Sequence, residues 1–181
     1  MFRLLEIIFA VFLLIIMLLP LLIISILIKI DSKGPVIHFS KRIGKNNKIF
    51  YMPKFRTMKI DTPQIDTNNF TNSYVYVTSV GKILRKYSLD EIPQILSIIT
   101  NSMSFIGPRP ALFNQYDLIK LRNKNKINML RPGITGWAQV NGRDNISIEK
   151  KVELEVYFLK NKSLLLYLKI LYKTFLIIIT K

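Results

Sequence analysis

A block of almost pure hydrocarbon side chains near the amino terminus constrains this chain more than any other feature. It runs from Leu4 to Ile28 and is interrupted only by Glu6, Pro20 and Ser25. A membrane-crossing helix needs about 20 apolar residues, so the block is long enough to cross a bilayer. It is too long for a secretory signal peptide and lacks a small-residue cleavage site. The sequence therefore predicts a helix surrounded by lipid.

The path of this helix through the bilayer has two interpretations. Pro20 removes one backbone hydrogen bond well inside the block and can bend the helix sharply. The block is then either a kinked helix that spans the bilayer or a helix–break–helix that enters and leaves by the cytoplasmic leaflet. Arg3 and Glu6 can pair at the lipid interface, which lowers the cost of entry. The lysines and arginines that follow the block mark its downstream side as cytoplasmic.

The charge of the chain indicates an anionic partner. Lysine and arginine number 27 against 11 acidic residues, which gives a net charge of +16. Such a chain could bind nucleic acid, a phospholipid surface or a phosphorylated substrate. Half of its residues are hydrophobic, which argues against a simple nucleic-acid binder. The chain has no cysteine, and His38 is its only histidine. These counts exclude a cysteine nucleophile, a histidine-based triad and a multi-histidine metal site.

Two adjacent carboxylates, Asp90 and Glu91, are the first candidates for chemistry. Ser88 and Glu91 match a capping box, and Pro93 must lie in the first turn of the helix that follows. Capping alone explains the pair. The alternative is that the helix dipole favours an ionised Asp90 as a nucleophile or metal ligand, with phosphate gathered by Arg85 and Arg109 nearby.

The middle of the chain predicts a hairpin and a series of helices. Two strands, 36–43 and 49–58, are joined by a turn at 44–48, and alternation puts Lys54 and Arg56 on one face of the second strand. That face is either solvated or binds anions. Residues 61–77, rich in Asn and Thr, predict a loop. Helices are predicted over 80–86, 90–99, 112–126 and 146–160.

Residues 130–143 predict an ordered loop that is neither helix nor strand, because they contain three glycines and a proline. Its backbone N–H groups and the side chains of Arg131, Gln139 and Arg143 are suited to phosphate. Trp137 is expected to plug the core.

A last helix, predicted over 163–179, carries a narrow basic stripe on a broad apolar surface. Lys162, Lys169 and Lys173 recur at helical spacing along the stripe. This pattern favours a helix lying in the membrane interface, with its lysines reaching headgroups, over a second span.

Several of these segments together resemble one family. They are Lys33–Val36, Lys54–Met58, Ser88–Gln94, Gly107–Pro110, Arg131–Arg143 and Glu153–Tyr157, in that order. The set resembles the bacterial sugar transferases of the small monotopic phosphoglycosyl transferase class, over nearly the whole chain.

The resemblance implies a reaction and a set of roles. Members transfer a sugar 1-phosphate from a UDP-sugar to undecaprenyl (polyprenyl) phosphate, release UMP and require Mg²⁺. Asp90 would be the nucleophile that forms a covalent phosphosugar intermediate in a ping-pong mechanism, and Glu91 would hold the metal with it or handle protons. The phosphate-binding candidates are Arg85, Arg109, Lys54, Arg56, Arg131, Gln139 and Arg143.

The resemblance also favours the re-entrant helix, broken at Pro20, on the cytoplasmic face of the bacterial inner membrane. We therefore expect a mostly helical α+β monotopic protein with a β-hairpin and interfacial amphipathic helices. Residues 1–30 form the membrane helix and 31–181 one integrated catalytic domain. The partners expected are the two substrates, membrane phospholipids and downstream glycosyltransferases, with no nucleic acid. No pattern in the sequence identifies the sugar or the glycan.

Overall fold

The computed structural model describes residues 2–60, 62, 73–142 and 145–180, and it confirms a mostly helical α+β protein with a small sheet. The helices and strands, in chain order, are α1 Phe2–Asp31, β1 Ile37–Ile43, β2 Ile49–Phe55, α2 Ser79–Lys86, α3 Ile95–Ile99, β3 Ser104–Ile106, β4 Ala111–Leu112, α4 Tyr116–Lys124, β5 Gly133–Thr135, α5 Ile148–Lys160 and α6 Leu164–Ile179. Short 3₁₀ helices occupy Lys45–Asn47, Ser73–Tyr76, Leu89–Gln94, Ile127–Met129 and Gln139–Asn141.

The predicted hairpin is confirmed. Strands β1 and β2 pair antiparallel from Ile37 opposite Phe55 to Ile43 opposite Ile49. The other edge of β1 is covered by β4, where Ile43 lies opposite Ala111. This third strand lies at the edge of the segment that was predicted to be helical from residue 112, so that boundary is wrong. Helix α4 begins at Tyr116 because the residues before it pair with the sheet.

Strand β5, which pairs in parallel with β3, lies within the segment predicted to contain no strand. Ser104 lies opposite Gly133 and Ile106 opposite Thr135. The prediction for residues 130–143 is therefore wrong in part, since they contain β5 and a 3₁₀ turn. A Cβ atom on Gly133 would overlap the backbone of Gly107, so the approach of the two segments requires glycine there.

Helix α1 is continuous from Phe2 to Asp31, with Pro20 inside it. The helix break predicted at Pro20 is not seen as a non-helical segment. Of the described helices, α1 is the one long and apolar enough to cross a membrane. One face packs along the rest of the protein, where Ala10, Ile24 and Ile28 are buried, and most of its other large side chains are exposed.

Both ends of α1 are attached to the folded part of the chain. At the start, Arg3 Nη2 donates to the carbonyl of Ile98 at 2.6 Å, and Glu6 Oε1 accepts from the N–H of Phe105 at 2.8 Å. At the end, Asp31 Oδ2 accepts from the N–H of Val80 at 2.9 Å. The helix, about 45 Å long at 1.5 Å per residue, therefore lies along the domain rather than projecting from it.

Helix α6 has the predicted bounds to within a residue, and two lysines of its basic stripe contact the preceding loop. The Nζ atoms of Lys169 and Lys173 lie 5.6 and 5.1 Å from the centre of the Trp137 ring. Lys173 Nζ also donates to Asn141 Oδ1 at 2.6 Å. These two lysines therefore contact the 130–142 segment, although Lys169 is also exposed, and large apolar side chains of α6 remain exposed. The placement of α6 in the membrane interface stays a prediction. Trp137 packs at the edge of the core, as predicted, and stacks on Tyr157.

Candidate active site

The dyad lies in the 3₁₀ helix Leu89–Gln94, which continues directly into α3. Ser88, just before it, has a left-handed backbone with φ of 56° and makes no capping hydrogen bond. An N-cap residue needs extended backbone to accept from the next turn, so the predicted capping box is wrong. The side chain of Glu91 binds two cations instead of a backbone N–H group. Capping therefore does not explain why Asp90 and Glu91 are adjacent.

Glu91 is the anion of a three-charge cluster. Lys54 Nζ at the end of β2 and Arg109 Nη2 in the turn before β4 each lie 3.2 Å from its Oε1. Burial raises the pKa of Glu91, but the charges of Lys54 and Arg109 and their hydrogen bonds outweigh it and hold the pKa at about 2. Glu91 is therefore ionised at neutral pH, and it fixes two cations beside Asp90.

Asp90 differs sharply from its neighbour. No described side chain donates a hydrogen bond to its carboxylate. Burial raises its pKa, the charge of Lys54 and, more weakly, that of Arg85 lower it, and Glu91 raises it further. The helix dipole was expected to favour the ionised form, but desolvation dominates. The Asp90 carboxylate therefore lies near the charges of Lys54 and Arg85, but no described cation donates a hydrogen bond to it.

The arginine one turn before the dyad is positioned by α2. Thr78 caps this helix by accepting from the N–H of Gly81, and Arg85 lies in its last turn. Its Nε donates to Thr57 Oγ1 at 2.9 Å, which leaves the other guanidinium nitrogens available to an anion near Asp90.

The side chain of Arg56 binds the end of α1. Arg56 follows the last residue of β2, and its N–H donates to the carbonyl of Val36 at 2.8 Å. Arg56 is buried, and its Nη2 donates to the carbonyl and the hydroxyl of Ser32 at 2.7 and 2.8 Å. This arginine ties the end of α1 to the hairpin.

The remaining candidates come from the 130–143 segment. Arg131 lines a separate cavity with Lys45 and Lys162. Gln139 Nε2 donates to the carbonyl of Ile134 at 3.0 Å, so its amide braces its own loop. Arg143 lies outside the described residues.

Sequence reasoning missed the residues that support Arg109. Arg122 Nη2 donates to the carbonyl of Arg109 at 2.9 Å, and the same guanidinium is held by Glu155. Arg42 Nη1 donates to the carbonyl of Pro110 at 3.2 Å. One signal was present: Glu155 lies three residues from both Val152 and Phe158, on the buried face of α5. A carboxylate at a core position predicts a buried cationic partner.

The donor set fits Mg²⁺ only with help from a ligand. Among the described residues, no group of three or more His, Cys, Asp or Glu side chains is placed to hold a metal ion. Mg²⁺ is commonly bound by one or two carboxylates together with substrate phosphates. Asp90 and Glu91 match that pattern.

Comparisons with known proteins identify the family of the chain. The family model described as bacterial sugar transferase matches residues 1–181. A Bacillus subtilis protein described as the uncharacterized sugar transferase EpsL is 40% identical over 145 residues, covering 80% of this chain and 70% of its own length.

Two longer relatives carry activities in their names. The UDP-N-acetylgalactosamine-undecaprenyl-phosphate N-acetylgalactosaminephosphotransferase of Aeromonas hydrophila is 37% identical over 86% of this chain and 38% of its own. The UDP-glucose:undecaprenyl-phosphate glucose-1-phosphate transferase of Escherichia coli is 38% identical over 83% of this chain and 34% of its own. The chain thus spans little more than a third of these two relatives. With the family model matched from the first residue to the last, the chain belongs to the bacterial sugar transferase family.

Proposed function

We propose that this protein transfers a sugar 1-phosphate from a UDP-sugar to undecaprenyl phosphate and releases UMP, as the first membrane step of a bacterial glycoconjugate pathway. One observation carries the proposal: Asp90 has no hydrogen-bond donor among the described side chains, while its neighbour Glu91 holds Lys54 and Arg109 at 3.2 Å. The names of the two longer relatives support the same reaction class.

In the first half-reaction an Asp90 carboxylate oxygen attacks the β-phosphorus of the UDP-sugar. The bond from that phosphorus to the oxygen bridging the two phosphates breaks, and UMP leaves with the electron pair. A carboxylate is a nucleophile without prior deprotonation at neutral pH. Lys54, Arg85 and Arg109 surround the dyad with positive charge where the transferring phosphoryl group is most negative.

In the second half-reaction an oxygen of undecaprenyl phosphate attacks the same phosphorus and displaces the Asp90 carboxylate. The product is a sugar diphosphate lipid, and Asp90 is regenerated as an anion. Glu91 keeps Lys54 and Arg109 in place through both steps. Asp90 and Glu91 would hold Mg²⁺, whose charge would offset the negative charge that builds up on the phosphates.

A monotopic arrangement on the cytoplasmic face supports this chemistry, because a lipid phosphate and a soluble nucleotide can then meet at one surface. A helix that crossed the bilayer would put its two ends on opposite sides of a hydrocarbon layer about 30 Å thick. Here the first turn of α1 bonds Ile98 and Phe105, and its last turn bonds Val80 of the same domain. We therefore propose that both ends of α1 are on the cytoplasmic side, with its exposed apolar face in the inner leaflet.

The nucleotide product tests the function. The purified protein, mixed with undecaprenyl phosphate and Mg²⁺, is assayed against a panel of UDP-sugars for the nucleotide released. Continued turnover with UMP release, beyond the single release that loads Asp90, is expected to depend on the lipid acceptor for at least one sugar. Release of UDP would indicate instead an enzyme that adds a sugar to an existing lipid-linked acceptor.

Cysteine labelling tests the topology, because the chain contains no cysteine. Phe2→Cys, with exposed Lys124→Cys on α4 as the control for the catalytic domain, is treated in intact cells with a membrane-impermeant thiol reagent. Both variants are expected to react with the reagent only after the cells are permeabilised. Labelling of Phe2→Cys in intact cells, with Lys124→Cys protected, would establish a membrane span.

A further inference from the structure

A second basic site lies apart from the dyad. A cavity of about 240 Å³ is formed where α5 ends, α6 begins and the hairpin turn approaches them. Lys45, Arg131 and Lys162 line it together with Tyr167 and Ser104. Among the described residues, none of the carboxylates forms an ion pair with any of these three cations.

The cations of this cavity repel one another. Burial lowers the pKa of Lys162, and the charge of Lys45 lowers it further. The nearby carboxylate of Glu6 is already engaged by Arg3, by Ser104 Oγ and by the N–H of Phe105. An anion entering the cavity would relieve this repulsion and would meet a lysine pair, a guanidinium and a phenol as donors.

The size and position of the cavity identify the class of anion. Pockets that enclose a whole small-molecule ligand usually measure roughly 300–1,000 Å³, so this one suits a phosphate with its ester groups better than a nucleotide sugar. Ser104 bonds the first turn of α1 through Glu6, and Tyr167 lies in the first turn of α6. Both helices carry exposed apolar side chains next to these residues in sequence, among them Leu5 on α1 and Leu164 and Leu165 on α6.

We propose that this cavity binds the headgroup of an anionic phospholipid, whose acyl chains lie against the exposed apolar surfaces of α1 and α6. The lipid is a bound partner and not a substrate, because neither Asp90 nor Glu91 lines its site. The inference rests on the membrane association in the proposed function, but not on the reaction at Asp90. It gives Lys45, Arg131 and Lys162 a role outside the transfer chemistry.

A lipid titration tests the proposal. The full chain in neutral detergent is titrated with short-chain phosphatidylglycerol, short-chain phosphatidylcholine or inorganic phosphate, and binding is measured by calorimetry. The phosphatidylglycerol is expected to bind at least tenfold more tightly than either other probe. A Lys45→Gln/Lys162→Gln variant should bind it roughly 10- to 30-fold more weakly, since each lysine near an anionic lipid contributes roughly fivefold.

The control removes the same charge elsewhere. Lys120→Gln/Lys124→Gln on α4 should change the affinity less than about twofold, and thermal unfolding should show that both variants are folded. Equal weakening in the two variants would overturn the proposal, as would equal binding of phosphatidylcholine. Equal binding of inorganic phosphate would overturn the lipid assignment in favour of a soluble anion. The titration needs no UDP-sugar, so Asp90→Asn should bind the lipid normally even if the proposed transfer reaction fails.

Discussion

Two carboxylates of this protein, Glu155 and Glu91, are both held by arginine, but in different ways. Glu155 is 2% exposed and has both oxygens bound by Arg122, with Nε 2.8 Å from Oε2 and Nη2 2.5 Å from Oε1. Among the residues that the structure describes, Lys54 and Arg109 bind Glu91 through Oε1 alone, and the Arg109 side chain is 28% exposed. The first arrangement is closed, whereas the second leaves donors and an acceptor oxygen free for a ligand.

The Arg122–Glu155 contact is therefore a structural ion pair, whereas Glu91 with Lys54 and Arg109 forms a cluster that can bind a ligand. The two groups are in contact. Arg122 donates to the main-chain carbonyl of Arg109, whose guanidinium reaches Glu91. The closed pair therefore supports the turn that presents one cation of the open cluster. A buried pair with its hydrogen bonds satisfied suits this purpose because it has few alternative geometries.

Breaking the closed pair is expected to give the largest effect on stability. Glu155→Leu leaves Arg122 buried without its anion, which typically costs about 3–5 kcal/mol. Denaturant unfolding measures the loss. The matched variant Arg122→Met/Glu155→Leu removes both charges and should recover most of the stability. A double variant no more stable than the single one would show that the charge pair is not what Glu155 contributes.

Opening the binding cluster should instead affect activity. Glu91→Gln removes the anion that holds Lys54 and Arg109 beside Asp90, so UMP release should fall by about 10²-fold, the low end for losing one preorganised electrostatic contact to a transition state. The unfolding free energy should change less than in Glu155→Leu. Exposed Glu153, changed to Gln, serves as the control and should keep full activity. Full activity in Glu91→Gln would remove this residue from the proposed mechanism.

The smallest expected effect is a shift in pH dependence. Asp90 must be ionised to attack, and burial raises its pKa above the usual 3.8. Activity should therefore be lost on acidification at a higher pH than for an exposed aspartate. The charge of Lys54 lowers the pKa of Asp90, so Lys54→Met should move this acid limb to higher pH. Lys124→Met is the control. An acid limb that stays in place or moves down in Lys54→Met would contradict this electrostatic coupling.

The hairpin and several helices could be predicted from the sequence, because short-range residue patterns determine them. The hairpin and helices α2 and α5 follow from alternation, periodicity and capping, as Ser147 shows by accepting from the N–H of Lys150. The two-residue strand β4 and the three-residue pair β3 and β5 have no such period, because distant pairing creates them.

The site shows the same limit. Asp90, Glu91, Arg85 and Arg109 are recognisable in sequence, and the fold brings all four together with Lys54. The left-handed backbone of Ser88 depends on the connection between α2 and the 3₁₀ helix, so a capping motif in the sequence was misleading. The support of Arg109 by Arg122 requires α4 and α5 to pack, which no local pattern indicates.

In the proposed mechanism, Asp90 forms a covalent bond to the transferred phosphosugar. The most direct measurement is the intact mass of the protein after incubation with its UDP-sugar and Mg²⁺ in the absence of lipid acceptor. We predict a mass increase equal to one sugar phosphate, located at Asp90 by peptide mapping and discharged by undecaprenyl phosphate. The adduct should be absent in Asp90→Asn. UMP release by Asp90→Asn at the normal rate, or an adduct on another residue, would contradict the account.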